Sequence, residues 1–361
     1  MSLYYFIFVW LIVMAAASQK LGVEYETVVC GKKVYRWRFI WAFVAFAPVI
    51  YLAAFTAPRS DTVLYMTNYQ NLDISWSALK DTIIADESGK GFYIFQWIIK
   101  NLFQGSDTAF RVILALLHSI PVLYVFRKYS NNYILSLFLF VATGCHIAWM
   151  MNGLRQFLAV CIIMAATPLM LKRKYIPLIG VILLAATIHS SAILMLPVIF
   201  IVQGKAWNHK TLFFIVLAII MMYAFSNYTG LLDRMLEETE YAGVMASAAA
   251  MGDDGTNPIR VLVNSVPMLL ALLGKKQIDL ENNEVINLCV NMSIITVALY
   301  LVSMVTSGVM IGRLPIYTSL YSYILLPYFI KELFTEQSTK IVSVLMIGLY
   351  FAYYLYAYWG F

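Results

Sequence analysis

The sequence predicts an all-α polytopic membrane protein with about 11–12 transmembrane segments, including a re-entrant or broken pair near residues 175–203. Three observations predict it. Of the 361 residues 62% are hydrophobic and 12% charged, whereas a soluble domain carries about 25% charge. Apolar runs of roughly 17–25 residues, long enough to cross a bilayer as helix, recur from end to end. The basic residues gather in the short intervals between runs, which orients a membrane protein and needs no polyanion. The net charge of +6 therefore calls for no nucleic-acid partner.

The first run, 3–19, lacks a basic leader and a small-residue cleavage site and reads as a retained helix. Lys20, Lys32, Lys33, Arg36 and Arg38 follow it, placing that loop in the cytoplasm and the N-terminus outside. A second run, 39–57, leads to a polar outer segment, 58–107, whose amphipathic "GFYIFQWIIKNLF" suits an interface better than a crossing. Runs at 108–126, 132–151 and 153–171 put Arg127, Lys128, Lys172, Arg173 and Lys174 inside. Read as one helix, 175–203 would leave Lys275 and Lys276 outside; read as two arms meeting near His189, it restores the rule downstream. We take the two-armed form. Run 211–228 precedes a second outer segment, 229–257, and runs 258–274, 287–307, 314–330 and 341–359 complete the chain. No internal repeat is visible, so residues 1–361 read as a single integral membrane domain. Cys30, Cys145, Cys161 and Cys289 have no CxxC or metal spacing and read as packed thiols without a disulfide.

On this topology the outer side holds Arg59, Arg111, Arg155, Arg234, Arg260 and Arg313, and only three of the lysines, Lys80, Lys90 and Lys100. Lysine suffices for orientation; arginine adds a planar fork of donors suited to phosphate. Outer carboxylates offer the alternative of simple ion pairs. Four groups reach this face: Asp61 in "PRSDTVLYMTNYQ", Arg155 in "NGLRQ", His189 in "ATIHSSA" and Arg313 in "MIGRLPIYTSLYSYILLP". Two arginines at helix starts, where backbone N–H groups and the dipole also favour anions, suit a diphosphate. Each has a plainer reading: snorkelling for the arginines, a structural hydrogen bond for His189, a turn for Asp61. Tyr65, Tyr69 and Tyr317 follow the charged groups at near-helical spacing, although most tyrosines here are belt or packing residues. "GDDG" at 252–255 reads as a turn and not a metal site.

The blocks "SDTVLYMTNY", "NGLRQFLAVCIIMAA", "ATIHSSAILMLP" and "GRLPIYTSLYSYILLP", in this order and spacing, resemble the EpsG-like branch of Wzy-type polysaccharide polymerases. The resemblance runs from about residue 56 to 330, and its most specific pairing is N-x-x-R-Q with H-x-S some thirty residues later. One departure stands out: where such proteins often carry a glutamate before a Gly-aromatic pair, "SGKGFYIF" offers Lys90, with Asp86 and Glu87 upstream. The resemblance implies a multi-pass protein of the bacterial cytoplasmic membrane with an outward-facing site. Its substrates would be polyprenyl-diphosphate-linked oligosaccharide repeat units, with membrane lipids and a chain-length regulator as further partners, and it would need no cofactor and no metal. It would transfer the growing glycan from its carrier to a new repeat unit. Arg155, Arg313, Arg59 and Gln156 are then the candidates for the diphosphate. Tyr65, Tyr69, Tyr317 and Asn152 are candidates for substrate contact, and His189 or Asp61 for the base. A neutral imidazole, ordinarily near pKa ~6.5, is the better tuned of the two bases. Another lipid-linked-glycan transferase (ligase or acyltransferase) and a lipid-linked oligosaccharide flippase remain as alternatives.

Overall fold

Helix boundaries fall where the chain supplies caps and breakers, and they cut several of the apolar runs short. The computed structural model describes residues 2–26, 33–58, 60–85, 89–227, 234, 250 and 252–359, and the statements below concern those residues. Helix α1 (Ser2–Leu21) leads into an antiparallel hairpin, β1 (Gly22–Glu26) with β2 (Lys33–Trp37), in which Gly22 faces Trp37 and Glu26 faces Lys33. The sequence reading treats this stretch as a plain basic loop; its Val and Tyr residues, which fit a pleated surface, favour strands. Helix α2 (Phe39–Phe55) follows, and the polar segment after it forms three helices, α3 (Asp61–Asn71), α4 (Trp76–Ala85) and α5 (Lys90–Leu102). Helix α6 (Asp107–Tyr129) is capped by Ser106, whose Oγ accepts the Ala109 N–H at 3.3 Å. Asp107 in its first turn and Arg127 and Lys128 in its last complement the helix dipole at both ends.

Helices α7 (Tyr133–Ala142) and α8 (Cys145–Met151) meet at 72° around Gly144, which takes φ +66°. Then come α9 (Leu154–Ala165), α10 (Thr167–Leu171), α11 (Tyr175–Ile188), a 3-10 turn over Ser190–Leu194, α12 (Met195–Ile201) and α13 (His209–Asn227). Helices α14 (Pro258–Leu273) and α15 (Lys275–Glu281) meet at 67°. The rest is α16 (Glu284–Ser303), a 3-10 turn over Ile311–Arg313, α17 (Ile316–Ser319), α18 (Ser322–Glu332) and α19 (Glu336–Trp359).

The protein is all-α and polytopic with broken helix pairs, as the sequence predicts. Four described helices are long and apolar enough to span, or six if each bent pair counts as one. Five further apolar helices have 10–17 residues, at or below the lower end of the roughly 17–25 residues of a spanning helix. Hydropathy registers an apolar run whether or not its helix is continuous; Gly144 and His189 interrupt helices inside such runs. The break in 175–203 falls at His189, where the sequence places it.

The chain groups into two compact units, residues 1–196 with 335–361, and residues 197–334. In the first, α3, α5, α6, α9 and α11 share an apolar cluster that includes Tyr69, Phe92, Phe110, Leu154 and Ile188. In the second, α16 is buried along its length and carries a row of polar contacts. Asn287 and Asn291 accept the N–H groups of Ala206 and Trp207 at 3.0 and 3.1 Å, and Thr296 bonds Thr318 at 2.7 Å. Such bonds between apolar helices contribute about 0.6 kcal/mol each and fix register. Cys145, Cys161 and Cys289 are free thiols; Cys30 lies outside the described residues.

Candidate functional site

Arg155 owes its place to a broken helix. Asn152 ends α8, and a Cβ on Gly153 would overlap the Trp149 ring, so only glycine lets α9 restart there. The start of α9 is held from below: buried His118 donates from Nε2 to the Leu154 carbonyl at 3.1 Å. One residue on, the Arg155 guanidinium packs against Gly89. A Cβ there would overlap Nη2 and lie 2.7 Å from Cζ. The same group sits 6.0 Å from the centre of the Phe92 ring. Among the described residues it makes no hydrogen bond and no ion pair, and its Nε is buried without a partner. A cation–π contact returns about 0.5–1 kcal/mol, less than the roughly 1–3 kcal/mol cost of an unsatisfied buried donor. The contacts among the described residues leave Nε unsatisfied.

Gln156 ties this helix to the break in 175–203. Its Nε2 donates to Ser191 Oγ at 3.3 Å, and the same oxygen lies 2.7 Å from His189 Nδ1. Ser191 has two acceptor lone pairs, so it can take both the Gln156 N–H and an Nδ1–H. That tautomer leaves the lone pair of the imidazole on Nε2. His189 can hold this position because it is extended, at φ −147° and ψ 118°, between α11 and the 3-10 turn.

Asp61 reaches the same junction from α3. Its backbone N–H donates to Asn152 Oδ1 at 3.0 Å, and Thr62 Oγ1 donates to the Met151 carbonyl. Asn152 thus caps α3 from outside, because Ser60 makes no side-chain cap. Tyr65 stands edge-on to Phe92 at 5.7 Å, and its carbonyl accepts from Gln96. Tyr69 is fully buried and stacks on Phe110 at 4.4 Å, with a hydroxyl that finds no partner. A cavity of about 20 Å³ between Thr62, Arg111, Met151 and Leu154 is large enough for one water and too small for a sugar. Arg111 itself donates to the Thr56 carbonyl at the end of α2.

The structure therefore brings Asp61, Asn152, Arg155, Gln156 and His189 together in the first unit, with Tyr65 beside them and Tyr69 in the core. Arg313 and Tyr317 belong to the second unit: Arg313 ends a 3-10 turn, and Tyr317 is buried in α17. Arg59 lies outside the described residues. Sequence reasoning missed Ser191, Thr62, Gly89 and Gly91; the doubled serine of "HSS" and the paired glycines of "GKG" were the available signals.

In the second unit the "GDDG" segment forms a turn. Asp253 accepts from Ser307 Oγ at 2.6 Å, from the N–H groups of Gly308 and Val309 at 2.9 Å each, and from its own turn at Gly255. Gly255 takes φ +92°, and a Cβ would overlap the Met304 carbonyl. Burial pushes the Asp253 carboxyl up, but its hydrogen bonds outweigh that and hold it below its ordinary 3.8. Among the described residues no group of three His, Cys, Asp or Glu is placed to hold a metal.

An interrupted helical membrane fold, in which Arg155 and Gln156 start one helix and Gln156 reaches the histidine at another helix break through Ser191, describes the class: a polytopic α-helical membrane protein. Within that class this chain belongs to the EpsG family, whose model matches residues 39–361, a family of polysaccharide polymerase type. No curated protein and no solved structure matches the chain.

Proposed function

We propose that this protein is a glycosyltransferase that polymerises a polysaccharide on the outer face of the bacterial cytoplasmic membrane. It transfers a growing glycan from polyprenyl diphosphate to the non-reducing end of a carrier-linked repeat unit. The acceptor hydroxyl oxygen bonds the donor's anomeric carbon, and the bond from that carbon to the diphosphate breaks. The electron pair leaves on the phosphate oxygen, and the hydroxyl proton passes to His189 Nε2. Diphosphate needs no protonation to leave, so charge stabilisation by Arg155 is the main demand on the site. Asn152 and Asp61 shape the entry beside it, and Tyr65 lies where a sugar ring would stack. Arg313 is the further diphosphate candidate, carried by the second unit.

The observation that carries this reading is the Arg155 guanidinium, held against Gly89 with no ion pair among the described residues, next in the chain to Gln156, whose side chain reaches His189 through Ser191. The experiment is polymerisation of a lipid-linked repeat unit by purified protein, with melting temperature measured alongside. Arg155→Lys keeps the charge and loses the fork, so turnover should fall roughly 10²–10³-fold without unfolding. His189→Ala should leave single repeat units unpolymerised, while Asp61→Asn should be milder. Wild-type turnover by Arg155→Lys sinks the assignment. The reverse ranking of the other two at matched expression moves the base to Asp61.

A further inference from the structure

The segment Gly89–Lys90–Gly91 starts α5, and its two glycines are wedged against two different elements. On one side Gly89 leaves room only for the Arg155 guanidinium. On the other, a Cβ on Gly91 would overlap Thr187 Oγ1 and lie 3.0 Å from its Cβ, two residues ahead of His189. The backbone of Lys90 is thereby fixed between the arginine and the histidine break, while its side chain is exposed. The Lys90 ammonium bonds none of the described residues. Lys100, one helix length away, shows what a structural lysine does here. Its Nζ donates to the carbonyls of Tyr69, Gln70 and Leu72 at 3.0, 2.7 and 2.7 Å and so closes the end of α3. Lys90 follows directly on the glycine that packs against Arg155, and two cations brought to the same site repel each other unless an anion joins them.

We propose that Lys90 is a second cationic ligand of the diphosphate, set beside Arg155 by the glycine pair, and that the two cations make the site prefer diphosphate over monophosphate carriers. This rests on the diphosphate reading of Arg155. A guanidinium grips one phosphoryl group through its planar fork, whereas an ammonium acts as a compact point charge. A diphosphate presents a phosphoryl group to each. A monophosphate satisfies only one.

The test uses the full chain in phosphatidylcholine nanodiscs, titrated with farnesyl diphosphate and, separately, farnesyl monophosphate. Wild type should bind the diphosphate at least about tenfold more tightly, the scale of one charge-assisted hydrogen bond. Lys90→Gln should weaken the diphosphate about tenfold, leave the monophosphate nearly unchanged and keep the melting temperature. Lys90→Arg should restore the preference. If Lys90→Gln keeps wild-type affinities while Arg155→Lys weakens the diphosphate, the Lys90 proposal is overturned and the Arg155 reading stands. An equal loss on both probes also overturns it, since a general field and not a second contact would be at work. If wild type shows no saturable binding, or Arg155→Ala binds as wild type does, both readings fall.

Discussion

At residue 89 a single hydrogen atom leaves the space that a guanidinium fills. Gly89 takes φ +81°, so a side chain there meets both backbone strain and Arg155. Gly89→Ala should cost about 1 kcal/mol of stability yet lower turnover far more, because the flexible arginine tip yields first and leaves its position. Equal, small losses in both would mean that Arg155 acts wherever it swings. Tyr69 makes the opposite case. Its spacing after Asp61 nominates it for substrate contact, but its hydroxyl is buried and unbonded. Removing an unsatisfied polar atom is neutral or stabilising by up to about 1 kcal/mol. Tyr69→Phe should therefore keep activity and melt at or above wild type; lost activity at unchanged melting temperature would return Tyr69 to the substrate. The charged and polar motif residues were legible because each is costly in an apolar chain. Gly89, Gly91 and Ser191 were not, since a close approach is visible only once both partners are placed.

Elements matter here chiefly where they stop. Helix α9 restarts after Gly153, α11 ends before His189, and α5 starts on a glycine in the left-handed region; these three ends converge on Arg155 and its neighbours. The Asp253 turn is a comparable device in the second unit, fastening residues 252–256 to the loop before Arg313. Its carboxyl titrates below its ordinary 3.8 in the folded protein. A depressed folded pKa stabilises above the unfolded value and loses that stability as pH falls through the folded value. Asp253→Asn should thus melt lower than wild type at neutral pH, by about 1–3 kcal/mol for the weakened bonds. The difference should shrink steadily below about pH 4. A gap independent of pH would show that shape, and not charge, holds the turn.

Across the whole molecule, orientation is the property with the widest consequences. The lysine-bearing loops predict that a reporter fused after Lys174 or Lys276 reads cytoplasmic, and that one after Asp254 reads external. A cytoplasmic signal at Asp254 would reject the two-armed form of 175–203. Composition and hydropathy alone determined that the chain is helical and membrane-embedded, because desolvation of backbone and charge leaves an apolar chain few other forms. Motif order pointed to the family that the family model confirms, and the residue types nominated Arg155 for an anion. The tertiary structure decided the rest. It showed which apolar runs are single helices and which are broken, since a break depends on caps and close contacts that hydropathy averages away. It also placed Asp61, Asn152, Arg155, Gln156 and His189 around one junction, with Gly89 and Gly91 packed against Arg155 and Thr187. Those contacts join residues as far as 91 apart in sequence, and long-range proximity is a product of packing that no local pattern encodes.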